Sequence, residues 1–171
     1  MSLLVTGFGP FLDHVDNPSA LLARASGERF EVLEVSFSGV DAFLEGLAPH
    51  GFDSWLALGL AAKATGMLCE TVGSNRIGPQ PDVRGEVHGP GLIDPAGPPH
   101  FSSSLWHGSV FESEELAMST DAGGYLCNYL LYRALRRFPE KRIGFLHVPP
   151  FSAIDMDRQT ALLRKVLESI A

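Results

Sequence analysis

The sequence predicts an α/β fold, a three-layer α/β/α sandwich built around a mostly parallel twisted sheet. Short apolar runs alternate with amphipathic stretches along the whole chain. Trp55-Leu-Ala-Leu-Gly-Leu60 is apolar on both faces, as a central strand covered by helices on both sides must be. Ile143 to Val148 is a second such run, stopped by Pro149-Pro150 and followed by an amphipathic stretch. With 171 residues, 45% of them hydrophobic, the chain suits one domain, 1–171, with a substantial core.

The elements follow in order. Leu3 to Thr6 reads as a strand that breaks at Gly7-Phe-Gly-Pro10. Asn17-Pro18-Ser19 supplies an N-cap and a proline at the first helical position for a helix over Ala20 to Ala25, closed by Gly27. Phe30 to Phe37 alternates like a half-buried strand, Val40 to Leu47 reads as a short helix, and Met67 to Val72 as another strand. Gly73 to Pro99 is dense in Gly and Pro and reads as an ordered loop with a functional or assembly role. Gly124 to Phe138 places Cys127, Leu131, Ala134, Leu135 and Phe138 on one stripe, with Arg133, Arg136 and Arg137 off it, which defines an amphipathic helix. A short strand over Leu116 to Ser119 precedes it, and Asp155 to Ile170 forms a last helix.

Composition excludes several classes of function. A net charge of -7, with no basic run longer than Arg136-Arg137, argues against nucleic acid or an anionic membrane as partner. No leader pattern and no apolar segment of about 20 residues is present, so a cytoplasmic location is expected. Cys69 and Cys127 lie outside any C-x-x-C pair and read as free thiols. His14, His50, His88, His100 and His107 lack metal-ligand spacing, so no metal is expected.

In open α/β sheets, ligands bind beyond the carboxyl ends of strands. Three reactive residues meet that condition: His147 at the end of one strand, Glu70 late in another, and Cys127 near the start of a helix. A helix N-terminus favours thiolate over thiol. A neighbouring histidine oriented by a carboxylate completes a nucleophile, a base and an orienter, and backbone N–H groups around Cys127 offer an oxyanion hole. Each residue also has a plain reading: Cys127 as a core thiol, His147 as a hydrogen-bonded core histidine, Glu70 as an ion-pair partner. Cys69 is the rival nucleophile, but as a mid-strand residue facing away from Glu70 it reads as a structural thiol. Phe8 and Phe11 either line an apolar slot or pack in the core. Gly7 to Phe11 is not a dinucleotide loop, since the G-x-G-x-x-G spacing is missing and Pro10 removes an N–H.

The runs Leu4-Val-Thr-Gly-Phe-Gly-Pro-Phe11 with Asn17-Pro18, Ala122-Gly-Gly-Tyr-Leu-Cys-Asn128, and Gly144-Phe-Leu-His-Val-Pro149 resemble pyroglutamyl peptidase I, the pyrrolidone carboxyl peptidases. The resemblance spans Leu3 to about Leu167. It implies a cytosolic cysteine exopeptidase that removes N-terminal pyroglutamate through a thioester, with Cys127 as nucleophile, His147 as base and acid, and Glu70 as orienter. By the same resemblance Phe8, Phe11 and Tyr125 sandwich the lactam ring, while Asn17 and the backbone near Leu60 and Leu126 hold it. It also implies no cofactor, N-terminally pyroglutamylated peptides as substrates, and a homo-oligomer, commonly a tetramer.

The chain departs from the family in three places. Where members commonly read Asn-x-x-x-Ala-Arg-Ile-Pro-Asp, this sequence has Asn75-Arg-Ile-Gly-Pro-Gln-Pro-Asp82, which leaves Arg76 or Arg84 as candidates to replace the family arginine. The segment Ser102 to Asp121 is short, which truncates a helix between Leu105 and Glu115. Leu60 stands where some members have glutamine. The competing expectations are an amidase acting on another lactam or small amide, and an inactive homologue serving as a binding or assembly module.

Overall fold

A computed structural model describes residues 2–106 and 113–171. Eight strands and four α-helices follow in the order β1 (Leu3–Phe8), α1 (Pro18–Ala25), β2 (Arg29–Leu33), α2 (Phe37–Gly46), β3 (Ser54–Leu60), β4 (Met67–Glu70), β5 (Val72–Ser74), β6 (His100–Ser102), β7 (Leu116–Ser119), α3 (Leu126–Arg137), β8 (Arg142–Val148) and α4 (Met156–Ile170). Six strands form one sheet in the order β2-β1-β3-β8-β4-β7, and β5 pairs with β6 in a small second sheet. β2, β1, β3 and β8 are mutually parallel, whereas β4 runs antiparallel to β8 and β7 follows β4.

Helices cover both faces, which explains why β3 and β8 are mostly apolar on both sides. One core cluster joins Phe8, Trp55 and Phe145 to the inner faces of α2 and α3. The other joins Leu56, Leu58 and Leu146 to α1 and α4. The three-layer, mostly parallel arrangement is the one expected, and it places the carboxyl ends of β1, β2, β3 and β8 along one edge.

Several boundaries differ from the sequence reading, each for a local reason. β1 runs on to Phe8 because its pairing with β2 extends to Phe8↔Leu33. The strand expected over Phe30 to Phe37 stops at Leu33, since Ser36 turns the chain into α2. Its hydroxyl accepts from Gly39 N–H at 3.0 Å, so α2 begins at Phe37 rather than Val40. The strand expected over Met67 to Val72 is two strands in different sheets, divided at Thr71. α3 starts at Leu126, two residues later than the apolar stripe suggests. The loop over Gly73 to Pro99 is ordered: Asn75 exchanges hydrogen bonds with Asp94 at 2.8 and 2.9 Å, and Ile77 bridges Gly91. The truncated helix expected between Leu105 and Glu115 falls largely on residues 107–112, outside the described residues, as does His107. Among the described residues no helix is long and apolar enough to cross a membrane.

Gly7 lets α1 lie against β1. A Cβ there would stand 2.3 Å from the Ser19 carbonyl oxygen, a clash with backbone that no rotamer relieves. Gly7→Ala is expected to lower unfolding stability by at least about 2 kcal/mol, read as a fall in the urea midpoint.

Candidate active site

The site begins with a cross-strand diagonal. In the β4–β8 register Leu68 lies opposite His147 and Glu70 opposite Phe145, so Glu70 and His147 share a face two residues out of step, within reach of a long side chain. Glu70 Oε1 meets His147 Nδ1 at 2.7 Å. The Glu70 side chain has no solvent exposure and His147 is nearly as buried. Among the described residues Oε2 of Glu70 is buried with no hydrogen-bond partner, and the carboxylate's one side-chain hydrogen bond is to the histidine. The expectation that Glu70 sits at a carboxyl edge beside His147 is corrected here. β4 is antiparallel to β8, and Glu70 reaches back along the sheet face.

Cys127 approaches from the other side as the second residue of α3. Its sulfur lies close enough to His147 for its charge to bear on the imidazole, and with Nδ1 engaged by Glu70 the ring nitrogen left for it is Nε2. Gly59 makes the room. It is paired with His147 in the β3–β8 ladder, and a Cβ on it would lie 2.7 Å from Cys127 Sγ and 2.6 Å from Phe145 Cζ. The α3 N-terminus also differs in kind from the others. Asn17, Ser36 and Asp155 cap α1, α2 and α4 with side-chain oxygens, whereas Tyr125 gives α3 no side-chain cap, and its first N–H groups beside Cys127 stay open to a substrate oxygen.

The charges favour a protonated imidazole. Burial opposes it, but the Cys127 sulfur and then the Glu70 carboxylate outweigh that penalty and push the His147 pKa up to about 10. Cys69 behaves oppositely. It faces the other core cluster, and burial, with the nearby Glu70 charge, pushes its thiol up to about 12, as expected of an inert structural thiol.

A narrow slot opens beside the sulfur, lined by Phe8, Phe11, Asn17, Val35, Leu60, Tyr125, Leu126 and Cys127. All six residues expected to bind substrate meet there. Val35 was missed, although its position just past the carboxyl end of β2 is the signal that would have found it. The Phe11 and Tyr125 rings stand 5.7 Å apart and tilted by 40°. A third ring between two faces needs about 7 Å, twice a carbon contact distance, so these two rings close the slot and must part to admit one. Asn17 is largely engaged already: Nδ2 donates to Gly9 O at 2.9 Å, and Oδ1 accepts from the Ser19 N–H and hydroxyl. One Nδ2 hydrogen remains for a ligand.

The loop after β5 forms a further wall. Asn128, wholly buried beside Cys127, binds Ser74 N–H and the Ser74 and Arg76 carbonyls at 2.8 to 2.9 Å. Tyr125 donates its hydroxyl to Pro81 O at 2.9 Å. Asp82 accepts from the N–H groups of Phe37, Arg84 and Glu86. Of the two arginine candidates, Arg84 pairs with Glu34 and does not line the slot. Arg76 pairs with Asp121, whose carboxyl is held low by the Gly123 N–H and by Arg76, with a smaller contribution from His147.

Gly59→Ala is expected to displace the Cys127 sulfur from His147. It should lower kcat on the enzyme's substrate about a hundredfold, the cost of a misplacement near 1 Å, with KM changed much less. Steady-state kinetics on the variant, run well below its own unfolding midpoint, checks this.

Comparison with known proteins gives the same reading of the chain as a whole. The family model described as pyroglutamyl peptidase matches residues 1–165. The pyrrolidone-carboxylate peptidase of Deinococcus radiodurans is 32% identical, with 90% of this chain and 80% of that protein covered. That of Streptococcus suis is 29% identical over 87% of this chain and 78% of its own length. The crystal structure of pyrrolidone carboxyl peptidase from Thermus thermophilus superposes with a TM-score of 0.82 at 30% identity, covering 98% of this chain and 99% of that one. The Bacillus amyloliquefaciens pyroglutamyl peptidase I shares the fold at a TM-score of 0.85 and 23% identity, covering 99% and 94%. By its sequence, by its fold and by the length over which both match, the chain belongs to the pyroglutamyl peptidase family.

Proposed function

We propose that this protein is a cysteine exopeptidase that removes N-terminal pyroglutamate from peptides through a thioester on Cys127. The observation that carries the reading is the contact series Glu70–His147–Cys127 at the mouth of an apolar slot. A neutral lactam suits that slot, whereas a charged N-terminal glutamate or proline loses its hydration there without compensation.

The chemistry follows from the arrangement. His147 takes the thiol proton, and the thiolate so formed attacks the pyroglutamyl carbonyl carbon. The carbonyl oxygen takes up the negative charge against the open N–H groups at the start of α3. The tetrahedral species collapses, the C–N bond breaks, and His147 Nε2 gives its proton to the departing amine. The neutral imidazole then takes a proton from water as the water oxygen attacks the thioester. Release of pyroglutamate restores thiolate and imidazolium. Glu70 holds Nδ1 so that Nε2 faces the sulfur throughout. Phe11 and Tyr125 part to admit the ring, Phe8, Val35, Leu60 and Leu126 give it apolar walls, and the remaining Asn17 N–H meets a lactam oxygen. The free thiols suit a reducing, cytoplasmic setting.

The test is hydrolysis of a chromogenic pyroglutamyl amide in the presence of reductant. Cys127→Ala is expected to lower kcat/KM by about 10⁴-fold or more. The pH profile carries a sign as well. His147 must hold a proton for the leaving amine, and its raised pKa keeps that proton well above the ordinary histidine range. Activity should therefore persist through pH 8 to 9, on the order of the raised value, and fall as the pH passes about 10. A wild-type protein that leaves the pyroglutamyl amide intact refutes the reading.

A further inference from the structure

We propose that Trp106 is a positioning residue for the Glu70–His147 pair and acts through the backbone carbonyl of Glu70. The inference rests on the peptidase reading above and extends it to a residue outside the slot.

Glu70 is the last residue of a four-residue strand. Its pairing with β8 ends at Glu70↔Phe145, after which the chain leaves the large sheet for β5. Among the described residues the side chain has one hydrogen bond, Oε1 to His147 Nδ1, and Oε2 has none. A carboxylate held at a single point takes its direction from its own backbone, and a strand end is where that direction is least constrained.

The segment Ser103 to Trp106 supplies the constraint. On one side it binds the end of β4: Trp106 Nε1–H donates to Glu70 O at 2.8 Å, and Ser103 N–H donates to Thr71 O at 2.8 Å. On the other side it binds the start of β8. Ile143 O accepts from the Ser103 hydroxyl at 2.7 Å and from the N–H groups of Ser104 and Leu105 at 3.1 and 3.2 Å. The Ser104 hydroxyl accepts from Ile143 N–H at 3.0 Å and donates to Lys141 O at 2.8 Å. The segment takes the place beside β8 that β4 vacates. Gly144 permits the fit, since a Cβ there would lie 2.8 Å from Leu105 Cβ and 3.1 Å from the Trp106 ring. Carboxylate and imidazole sit on the two strands that this strap ties together. The Thr71 N–H of the Glu70–Thr71 peptide donates to Ser119 O at 2.8 Å and the indole N–H takes its carbonyl, so the two bonds together set the peptide plane and the direction in which the Glu70 side chain leaves the backbone.

Trp106 also packs against the core formed with α4, so space filling has to be separated from positioning. Trp106→Phe keeps most of the ring and removes the N–H. The groups whose charge bears on His147, Cys127 and Glu70, remain, as does the ion pair of Asp121, which itself feels His147, with Arg76. The expected result on a pyroglutamyl amide is a kcat about tenfold lower with KM within about twofold. The alkaline limb of kcat/KM should move down toward the ordinary histidine range, and the downfield Nδ1–H proton resonance of His147 should shift or broaden, with the unfolding midpoint little changed. Ser104→Ala, which loosens the far end of the strap, should leave the limb and the resonance in place. Should Trp106→Phe not fold, 3-benzothienylalanine at 106, of the same shape and without the N–H, gives the same comparison. A Trp106 variant with the wild-type limb and resonance overturns the proposal, whether or not stability falls. Because the resonance is read without substrate, the inference stands or falls separately from the peptidase reading, which fails only if the wild-type protein is inactive.

Discussion

The hydrogen bond between Glu70 Oε1 and His147 Nδ1, 2.7 Å long and shut away from solvent, is the interaction on which the rest of the site depends. A carboxylate in a low-dielectric interior is tolerable only with a partner of opposite charge, and removing that partner from such a pair costs about 3–5 kcal/mol. Here the partner is a histidine whose other nitrogen faces a thiol. The pairing thus serves two ends: it satisfies the carboxylate, and it sends a proton toward the place where the leaving amine needs one.

The fold serves this pair through an antiparallel exception to a parallel sheet. β1, β2, β3 and β8 bring Phe8, Val35, Leu60 and His147 to one edge. Glu70 does not come to that edge, and arrives along the sheet face by the diagonal of the β4–β8 ladder. Gly59, next to His147, leaves a gap in the β3 side-chain row, and the sulfur at the start of α3 fills it. Cys127, His147 and Glu70, the nucleophile, base and orienter of the proposed reaction, therefore come from three elements, each on a rigid helix or strand. The slot beside them is closed in part by Phe11, on a two-residue turn between Phe11 and His14 whose Leu12 is held at φ 49°.

Much of this was legible in the sequence, because the strongest signals were period and punctuation. The two-sided apolar runs at Trp55 and Ile143 identified central strands, and the Cys127 stripe identified α3. Asn17-Pro18 marked the start of α1. One boundary that escaped was set by a local cap and another by long-range bonds. In Phe30 to Phe37 the alternation masked the Ser36 cap, whose hydroxyl bound to Gly39 N–H starts the helix. Met67 to Val72 reads as one strand until Thr71 is seen bonded to Ser119 and Ser103. At the site, position at strand ends and at a helix start picked out Cys127, His147 and Glu70, but the sequence carried no hint that β4 runs antiparallel. Val35 went unnoticed because one valine after a strand looks like core. Trp106 did as well, since an indole donating to a backbone carbonyl leaves no mark on spacing.

The central claim is that the Cys127 sulfur, armed by the Glu70–His147 pair, takes the pyroglutamyl group covalently. The most direct measurement is rapid acid quench of the protein turning over a pyroglutamyl amide, followed by peptide mass spectrometry. The account predicts a pyroglutamyl group on the peptide bearing Cys127, formed before steady state and absent from Cys127→Ser. A covalent group on another residue, or hydrolysis of the amide with Cys127 unmodified throughout, contradicts it.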